Sequence, residues 1–157
     1  MSINIDFKRS TGKTVHYIEI RVFSKLDSTV VYNKLETLDV SKNTALNDLI
    51  CWFNQISILD LDQNKSLTWL QCDWNKLVNL DVSQNTNLDH LTCTYNQLES
   101  LNVKNGNNSI LISFPAHNNL ALACIQVDNA INANNGIAPY DKWQKDAVAT
   151  YSEDCVI

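Results

Sequence analysis

The sequence predicts a β-rich solenoid, a short right-handed arc or rod that is built on a parallel sheet, contains little helix and carries a cap at each end. The main observation is a 21-residue sequence repeat whose copies begin at Leu38, Leu59 and Leu80. A fourth copy, which matches the pattern less closely, begins at Leu101. A fixed period this short is typical of stacked coils, because each coil buries its apolar side chains only against its neighbours. The second observation is that leucine, cysteine and asparagine occupy the same slots in successive copies.

Each coil is predicted to hold one short strand, because apolar and polar residues alternate around its cysteine. Leu70 and Cys72 point to one side of such a strand. Trp69, Gln71 and Asp73 point to the other. Stacking the coils places the cysteines in one buried line, here called the cysteine column: Cys51, Cys72 and Cys93. Zinc binding is the alternative, but one line of cysteines lacks the converging ligands of a tetrahedral site.

Asparagines are predicted to close the turns of the solenoid. One set follows each strand and is called the turn-asparagine column: Asn54, Asn75 and Asn96. A buried turn removes backbone N–H and C=O groups from water, and an asparagine amide offers both donors and an acceptor to satisfy them. A second set, at the other bend, is Asn43, Asn64 and Asn85. The recurring apolar pair Leu59 and Leu61 is expected to line the opposite wall of the core.

Three segments are expected along the chain: residues 1–29 as an N-terminal cap, 30–123 as about four to five coils, and 124–157 as a C-terminal cap. The run His16–Val22 alternates as a half-buried strand. Such a strand would cover the first coil, whose apolar core and strand edge would otherwise be open.

The fourth copy and the tail are less regular. A strand is expected through Ile110, Ile112 and Phe114, with Asn118 or Asn119 in the turn that follows. In the tail, residues 132–136 are predicted to be a loop, and Lys142–Tyr151 a short helix with Asp141 as its N-cap. Trp143 and Val148 are then candidates to cover the last coil.

The segment Leu88-x-x-Leu91-x-Cys93-x-x-Asn96-x-Leu98 resembles the leucine-rich repeat, with cysteine in one leucine slot. More narrowly, the motif Leu80-Asp81-Val82-Ser83 followed by Asn85-Thr86 is similar to repeats in surface and secreted proteins of Bacteroidetes-type bacteria. The tail from Cys124 to Asp128, with Trp143 and Cys155, is similar to the closing segment of such arrays. The resemblance covers about residues 30–155. It implies a leucine-rich-repeat solenoid and an extracellular or cell-surface role in adhesion or recognition.

Cys124 and Cys155 lie outside the cysteine column and bracket the tail. A disulfide between them would close a loop of about 32 residues and stabilise the fold by roughly 3–4 kcal/mol in the chain-entropy model. Such a bond is typical of an oxidising compartment, whereas two free thiols would fit a cytosolic protein. Met1–Thr14 is polar and shows no apolar run typical of a signal peptide, so a cytoplasmic location stays open as well.

The charge of the chain excludes some classes of partner. The net charge is −5, the pI is near 5.0, and no cluster of Lys and Arg falls on the repeated face. Nucleic acids and anionic membrane surfaces require a basic footprint, so neither is expected to bind. No apolar run reaches the ~20 residues of a membrane-spanning helix, and no membrane insertion is expected. The expected state is a monomer without a cofactor.

Function is expected on the outward strand positions and on one aromatic residue before each turn. These aromatic residues form the aromatic column: Tyr32, Phe53, Trp74 and Tyr95. The predicted binding residues are Trp52, Phe53, Trp69, Gln71, Asp73, Trp74, His90, Thr92 and Tyr95, with Asp48, Ile50 and Thr94 at further outward positions. Exposed Trp and Tyr side chains supply much of the energy of binding sites, and such a stripe suits both protein and glycan partners. The alternative is that the column packs along itself and only shields the turns.

Two other chemistries have less support. An acidic column is formed by Asp39, Asp60 and Asp81, with Asp62 beside it. Calcium binding is its functional alternative, but one carboxylate per coil favours a solvated face. His90 and Cys93 are expected on opposite faces of a strand, which excludes a Cys–His nucleophile pair. The sequence therefore predicts a non-enzymatic protein- or glycan-binding module of the cell surface. The alternative is a structural spacer, or a fragment of a larger adhesin, without a ligand site of its own.

Overall fold

The computed structural model describes residues 5–6, 16–20 and 34–155, which form two sheets of mainly parallel strands around one core. The strands are β1 (Ile5–Asp6), β2 (His16–Ile20), β3 (Leu46–Ile50), β4 (Trp69–Gln71), β5 (Asn79–Asp81), β6 (His90–Thr92), β7 (Ser100–Asn102), β8 (Cys124–Gln126) and β9 (Thr150–Ser152). The helical parts are α1 (Ala130–Asn134) and two 3-10 helices, Asn108–Ile110 and Tyr140–Lys142. The predicted parallel solenoid with little helix is confirmed.

The first sheet has the strand order β1, β2, β3, β4, β6. β3, β4 and β6 are parallel, with Leu49 opposite Leu70 and Leu70 opposite Leu91. Each step across this part of the sheet therefore advances the chain by one copy of the repeat. β2 pairs in parallel with β3 and antiparallel with β1. The strand predicted at His16–Val22 is thus present over His16–Ile20, and its last two residues lie outside the described residues.

The second sheet has the order β5, β7, β8, β9, and all its strands are parallel. Its central residues are in register and buried: Leu80, Leu101, Ile125 and Tyr151. The apolar pair that was predicted to line the opposite wall is indeed buried, and this wall is itself a sheet. The boundaries between caps and coils, at residues 29/30 and 123/124, stay predictions.

The core lies between the two sheets, and the cysteine column is buried in it. Burial raises the pKa of all three thiols, that of Cys51 to about 12. The Sγ of Cys72 lies 3.4 Å from the carbonyl oxygen of Thr92 in the next coil, to which it donates. These cysteines therefore pack as small apolar side chains that carry a weak donor.

The turn-asparagine column makes the predicted hydrogen bonds. The Asn75 amide nitrogen donates to the carbonyl oxygens of Cys51 at 3.0 Å and Cys72 at 3.1 Å. It also donates to the carbonyl oxygen of Asp73 at 3.2 Å. Its Oδ1 accepts from the backbone N–H of Ile56 at 3.0 Å. Each such asparagine therefore fastens two coils together through backbone groups that are shielded from water.

The same pattern continues in both directions along the solenoid. Asn54 accepts from the N–H of Leu35, and Asn96 accepts from the N–H of Leu77. In the fourth coil Asn119 takes the slot, since it accepts from Leu98 and donates to the carbonyl oxygen of Cys93. The other bend carries a second ladder, in which Asn64 donates to Val40 and Asn43, and Asn85 donates to Leu61 and Asn64.

The fourth coil differs from its prediction. In place of a strand through Ile110, Ile112 and Phe114, the chain forms the Asn108–Ile110 3-10 helix, and Ile112 is exposed. The Asn108 side chain is the reason, because it donates to the carbonyl oxygen of Val103 and accepts from the N–H of Asp128. The first sheet continues only through single bridges, His90 to Ser113 and Pro115 to Gln144.

The tail also corrects two predictions. The predicted loop at 132–136 is largely helix α1, whose N-cap Asn129 accepts from the N–H of Asn132 at 2.9 Å. The predicted helix Lys142–Tyr151 is wrong. Gln144 instead pairs with Phe114 and Ala116, and Thr150–Ser152 is strand β9. Pairing with the preceding coils here overrides a local preference for helix.

Trp143 covers the core as predicted, but Val148 does not. Trp143 is buried against Phe114, with ring centroids 4.9 Å apart, and its indole N–H donates to Leu111. Val148 is exposed. Cys124 and Cys155 form the predicted disulfide, with an S–S distance of 1.99 Å.

Side chains of the tail also hold backbone groups at its ends. The Asp146 carboxylate accepts from the N–H groups of Asn118 at 3.0 Å and Asn119 at 2.7 Å. At β9, the Asn134 side chain donates to the Tyr151 carbonyl oxygen at 2.8 Å and accepts from the Tyr151 N–H at 3.3 Å. The turn of the fourth coil and the outer edge of β9 are thereby hydrogen-bonded to side chains of the tail.

Candidate functional site

The outward side of the first sheet, here called the sheet face, carries the predicted binding residues. In β4, Leu70 is buried while Trp69 and Gln71 point outward. The parallel register places residues of equal slot side by side. One row is Asp48, Trp69 and His90, and the next is Ile50, Gln71 and Thr92.

The aromatic column is a continuous stack at one border of this face. The ring centroids of Phe53 and Trp74 are 5.1 Å apart and their planes differ by 11°. Those of Trp74 and Tyr95 are 3.8 Å apart, with planes at 9°. Tyr32, its remaining predicted member, lies outside the described residues. The column therefore packs along itself, as the alternative interpretation expects, yet Trp74 and Tyr95 remain 45% and 42% exposed.

The backbone of this column is strained. Phe53, Trp74 and Tyr95 have φ values of 51°, 55° and 54°, in the left-handed region. A bulky residue rarely adopts this region, at a cost of about 1–3 kcal/mol. The equivalent residue of the fourth coil is Asn118, with φ 59° and a side chain that tolerates the conformation. A ring stack contributes about 0.5–1.5 kcal/mol per pair beyond the area that the rings bury. Three coils thus keep large rings where asparagine would be less strained.

A second aromatic pair lies at the other border of the sheet face. The rings of Trp69 and His90 are parallel within 12° and 4.3 Å apart. The Nδ1 atom of His90 lies 2.6 Å from Oδ1 of Asp89. Trp52 is near the first border, tilted against Phe53 at 4.9 Å. Trp52 and Trp69 are 41% and 39% exposed.

The two aromatic borders flank the row of Ile50, Gln71 and Thr92, whose members are half-buried. Positions 69 and 73 are four residue steps apart, which corresponds to about 13 Å along an extended chain. The sheet face is thus a polar strip with exposed rings on both sides, and it runs across successive coils.

Asp73 differs from its prediction as an exposed residue. It is only 8% exposed, because Thr92 and Thr94 of the next coil close over it. One carboxylate oxygen accepts from the Thr94 N–H at 2.8 Å and from the Thr94 hydroxyl at 2.6 Å, and the other accepts from the Thr92 hydroxyl. Thr94 is equally buried. Asp73 and Thr94 therefore hold neighbouring coils together, and little of either is open to a partner.

Asp48 is the carboxylate of the sheet face that has few partners. Among residues 34–155 its side chain has one hydrogen bond, from the Thr68 hydroxyl at 3.3 Å, and no lysine within ion-pair distance. Burial raises its pKa, the Thr68 hydroxyl partly opposes this shift, and the Asp89 carboxylate adds to it. The outward positions of β3, β4 and β6 contain no Lys or Arg. The sheet face is therefore acidic.

The acidic column has a structural role. Asp39, Asp60 and Asp81 each accept, through Oδ1, from the N–H two residues further along the chain, at 2.9, 3.0 and 2.7 Å. These are Asx turns at the bend before each asparagine. In the part of the chain that the structure describes, no group of three or more His, Cys, Asp or Glu side chains is placed to hold a metal ion.

His90 and Cys93 lie as their spacing predicts. Cys93 is buried in the core, whereas His90 is on the sheet face and stacks on Trp69. A Cys–His pair is therefore absent at this place. Over residues 5–6, 16–20 and 34–155, the structure contains no helix that is both long and apolar enough to cross a membrane.

Two residues of this region were not predicted from the sequence as part of the site. His117 extends the aromatic column through an edge contact with Tyr95, with centroids 6.4 Å apart. It occupies the slot of Thr94, but two inserted residues in the fourth coil displace it from the repeat spacing. Asp89 was missed because it precedes the outward row by one residue. In the structure its Oδ1 lies 2.6 Å from His90 Nδ1, and its charge raises the pKa of Asp48.

No protein-family model and no curated protein matches this chain. Among solved structures, the functional domain of InlJ from Listeria monocytogenes, described as including a cysteine ladder, is 28% identical over 71% of this chain, with a TM-score of 0.44. The match spans 33% of that chain, so this protein corresponds to about a third of its length. The narrower similarity to Bacteroidetes-type repeats stays a prediction. The fold assignment rests on the stacking described above, which is that of a leucine-rich-repeat-like solenoid.

Proposed function

We propose that this protein is a non-enzymatic binding module that contacts a protein or glycan partner through its sheet face. The observation that carries the proposal is the set of large aromatic side chains that are 39–45% exposed on one side of the solenoid. The set is Trp52, Trp69, Trp74 and Tyr95. Exposed aromatic patches with a polar surround mark interaction sites more often than other surfaces do.

The strained backbone of the aromatic column supports the same proposal. Strained backbone is concentrated at functional sites, because a sequence selected for stability alone tends to remove it. Asn118 at the equivalent place shows that this fold accepts a less strained residue. Large rings at the strained positions Phe53, Trp74 and Tyr95 therefore support contact with a partner.

The disulfide supports a location outside the cytosol. Bonds of this kind persist in oxidising compartments and are rare in the reducing cytosol. We therefore place the module in the extracellular space or at the cell surface, in adhesion or recognition. A monomer is part of the proposal, because Asn134 satisfies the outward backbone groups of Tyr151 at the end of the second sheet.

A triple substitution tests the proposed site: Trp52→Ala, Trp69→Ala and Trp74→Ala. The wild type is first screened on a glycan array and in pull-downs, and each ligand found is then titrated against the triple variant. The matched control replaces three exposed apolar residues elsewhere, Ile58, Leu120 and Ile131, by alanine. Circular dichroism verifies that both variants are folded. Loss of binding in the tryptophan variant alone supports the site, and equal binding by both variants rejects it.

The second candidate is a structural spacer without a ligand site. Its specific support is the 3.8 Å stack of Trp74 on Tyr95, which shows that the column stabilises itself. In that case the screen returns no ligand, and the main effect of Trp74→Ala is on the melting temperature.

A further inference from the structure

The stacking decides which parts of the exposed rings a partner can reach. Trp74 lies between Phe53 and Tyr95 in successive coils, with nearly parallel planes, so both of its faces are covered. Its exposed part is therefore the rim of the ring. The indole N–H of Trp74 makes no hydrogen bond within residues 34–155. The rim of an aromatic ring is electropositive and favours oxygen acceptors.

Trp69 presents a different group. His90 of the following coil covers one face of its ring, at 4.3 Å. The opposite face is directed toward the preceding coil, where the neighbour in register is Asp48. Aspartate is too short to cover an indole, so this ring face is accessible beside the Asp48 carboxylate. The face of an indole is electronegative and attracts cations.

The charges around this point have the same sign. Asp48 has no cationic partner in residues 34–155, and Asp89 lies close enough to raise its pKa further. His90 is engaged with Asp89, and the outward positions of the three central strands carry no Lys or Arg. Lys76 lies beyond the turn and donates to Gln55. Within residues 34–155, a half-buried carboxylate next to an accessible ring face is thus left without a counter-ion.

We propose that the partner of the sheet face is a cationic polypeptide segment, with an arginine or lysine side chain held between the open face of Trp69 and the Asp48 carboxylate. Backbone carbonyl oxygens of the same segment accept from the Trp74 rim at the opposite border. The inference rests on the proposed function, and it names the chemistry of the partner. A neutral glycan supplies no cation for Trp69 and Asp48, and a nucleic acid would bring phosphates against the acidic face.

Three labelled peptides of equal length test the charge preference: one alternates arginine and serine, one glutamine and serine, and one glutamate and serine. Fluorescence anisotropy measures their dissociation constants with the full chain at low and at physiological salt. We expect the arginine peptide to bind most tightly, and the glutamate peptide least. Binding of the arginine peptide weakens as salt rises, because exposed charges are screened.

Two isosteric variants locate the cation. Asp48→Asn keeps the acceptor for the Thr68 hydroxyl and removes the charge, so its fold is retained. Asp60→Asn is the matched control, since it makes the same change of charge on the acidic column and keeps the acceptor for the Asp62 N–H. We expect Asp48→Asn to weaken the arginine peptide about threefold, Trp69→Leu to weaken it by a similar factor, and Asp60→Asn to leave it unchanged.

Two results would overturn the inference: equal affinity for the arginine and glutamine peptides, or equal losses in Asp48→Asn and Asp60→Asn. The failure of the two proposals can be distinguished. If a glycan or neutral partner binds the wild type, is lost in the triple tryptophan variant and is unaffected by Asp48→Asn, the binding site stands and the cationic partner is rejected. If the tryptophan variant keeps its ligand, the site itself is rejected.

Discussion

Replacement of Asn75 by leucine tests the hydrogen bonding that joins the coils. Leucine is similar in size but has no polar atoms, so the buried N–H of Ile56 loses the acceptor 3.0 Å away. An unsatisfied buried donor costs about 1–3 kcal/mol. The three carbonyl oxygens bound by the amide nitrogen keep other donors. Cys51 accepts from Asn54, Cys72 from Asn96, and Asp73 from Phe53.

Those three carbonyl bonds therefore contribute near the lower end of the usual range, about 0.5–1 kcal/mol each. The expected loss is about 3–5 kcal/mol in the free energy of unfolding, or a melting temperature lower by roughly 10 °C for a domain of this size. Urea unfolding followed by circular dichroism measures the loss. The m value should be unchanged, because the surface exposed on unfolding is the same.

Asn87→Leu is the matched control. Asn87 is exposed and its amide makes a single bond to the carbonyl oxygen of Lys65, at 2.9 Å. Its replacement should change stability by less than about 0.5 kcal/mol. If Asn75→Leu melted within about 2 °C of the wild type, or no lower than Asn87→Leu, the role assigned to the asparagines would be refuted.

Three further predictions concern the tail and the core. Cys124→Ser with Cys155→Ser should lower the free energy of unfolding by roughly 3–4 kcal/mol, and a loss below about 1 kcal/mol would contradict the loop-closure estimate. The cysteine column should not react with a thiol reagent at pH 8 in the folded protein, because burial raises the pKa of its thiols, and should react fully in denaturant. Rapid labelling of the native state would show that the core opens. Asp146→Ala removes the acceptor of two backbone N–H groups and should cost about 2 kcal/mol, whereas Asp141→Ala, at an exposed position, should be neutral within about 0.5 kcal/mol.

The coils were predictable because each slot meets an equivalent slot of the next coil. Once Leu70 is opposite Leu91, the positions of Cys72 and Asn75 follow from the repeat spacing. The same repeat spacing could also have predicted that Asp73 is buried. Thr92 and Thr94 lie 19 and 21 residues after it, in the next coil, and donate to its carboxylate. Period-two alternation alone misses them, because it considers one strand at a time.

The tail could not be predicted in this way, since its contacts have no copies. Gln144 pairs with Phe114 and Ala116, and no recurring pattern in the tail marks Gln144 as their partner. The position of the aromatic column could be predicted from the sequence, but the orientation of its rings could not. Whether a ring shows its face or its rim depends on side-chain packing between coils, and this direction decides what kind of ligand the sheet face can take.

The Asn134 amide has a consequence for the length of the molecule. A parallel solenoid is a template, because the last strand presents the groups that would receive one more strand. In β9 the residue whose backbone faces outward is Tyr151, and the side chain of Asn134 occupies both its donor and its acceptor. One side-chain amide thus occupies the edge of the second sheet to which a strand from another copy could add. Asn134→Ala would free the backbone N–H and C=O of Tyr151 at this edge. We expect the variant to form concentration-dependent polymers, which light scattering would detect.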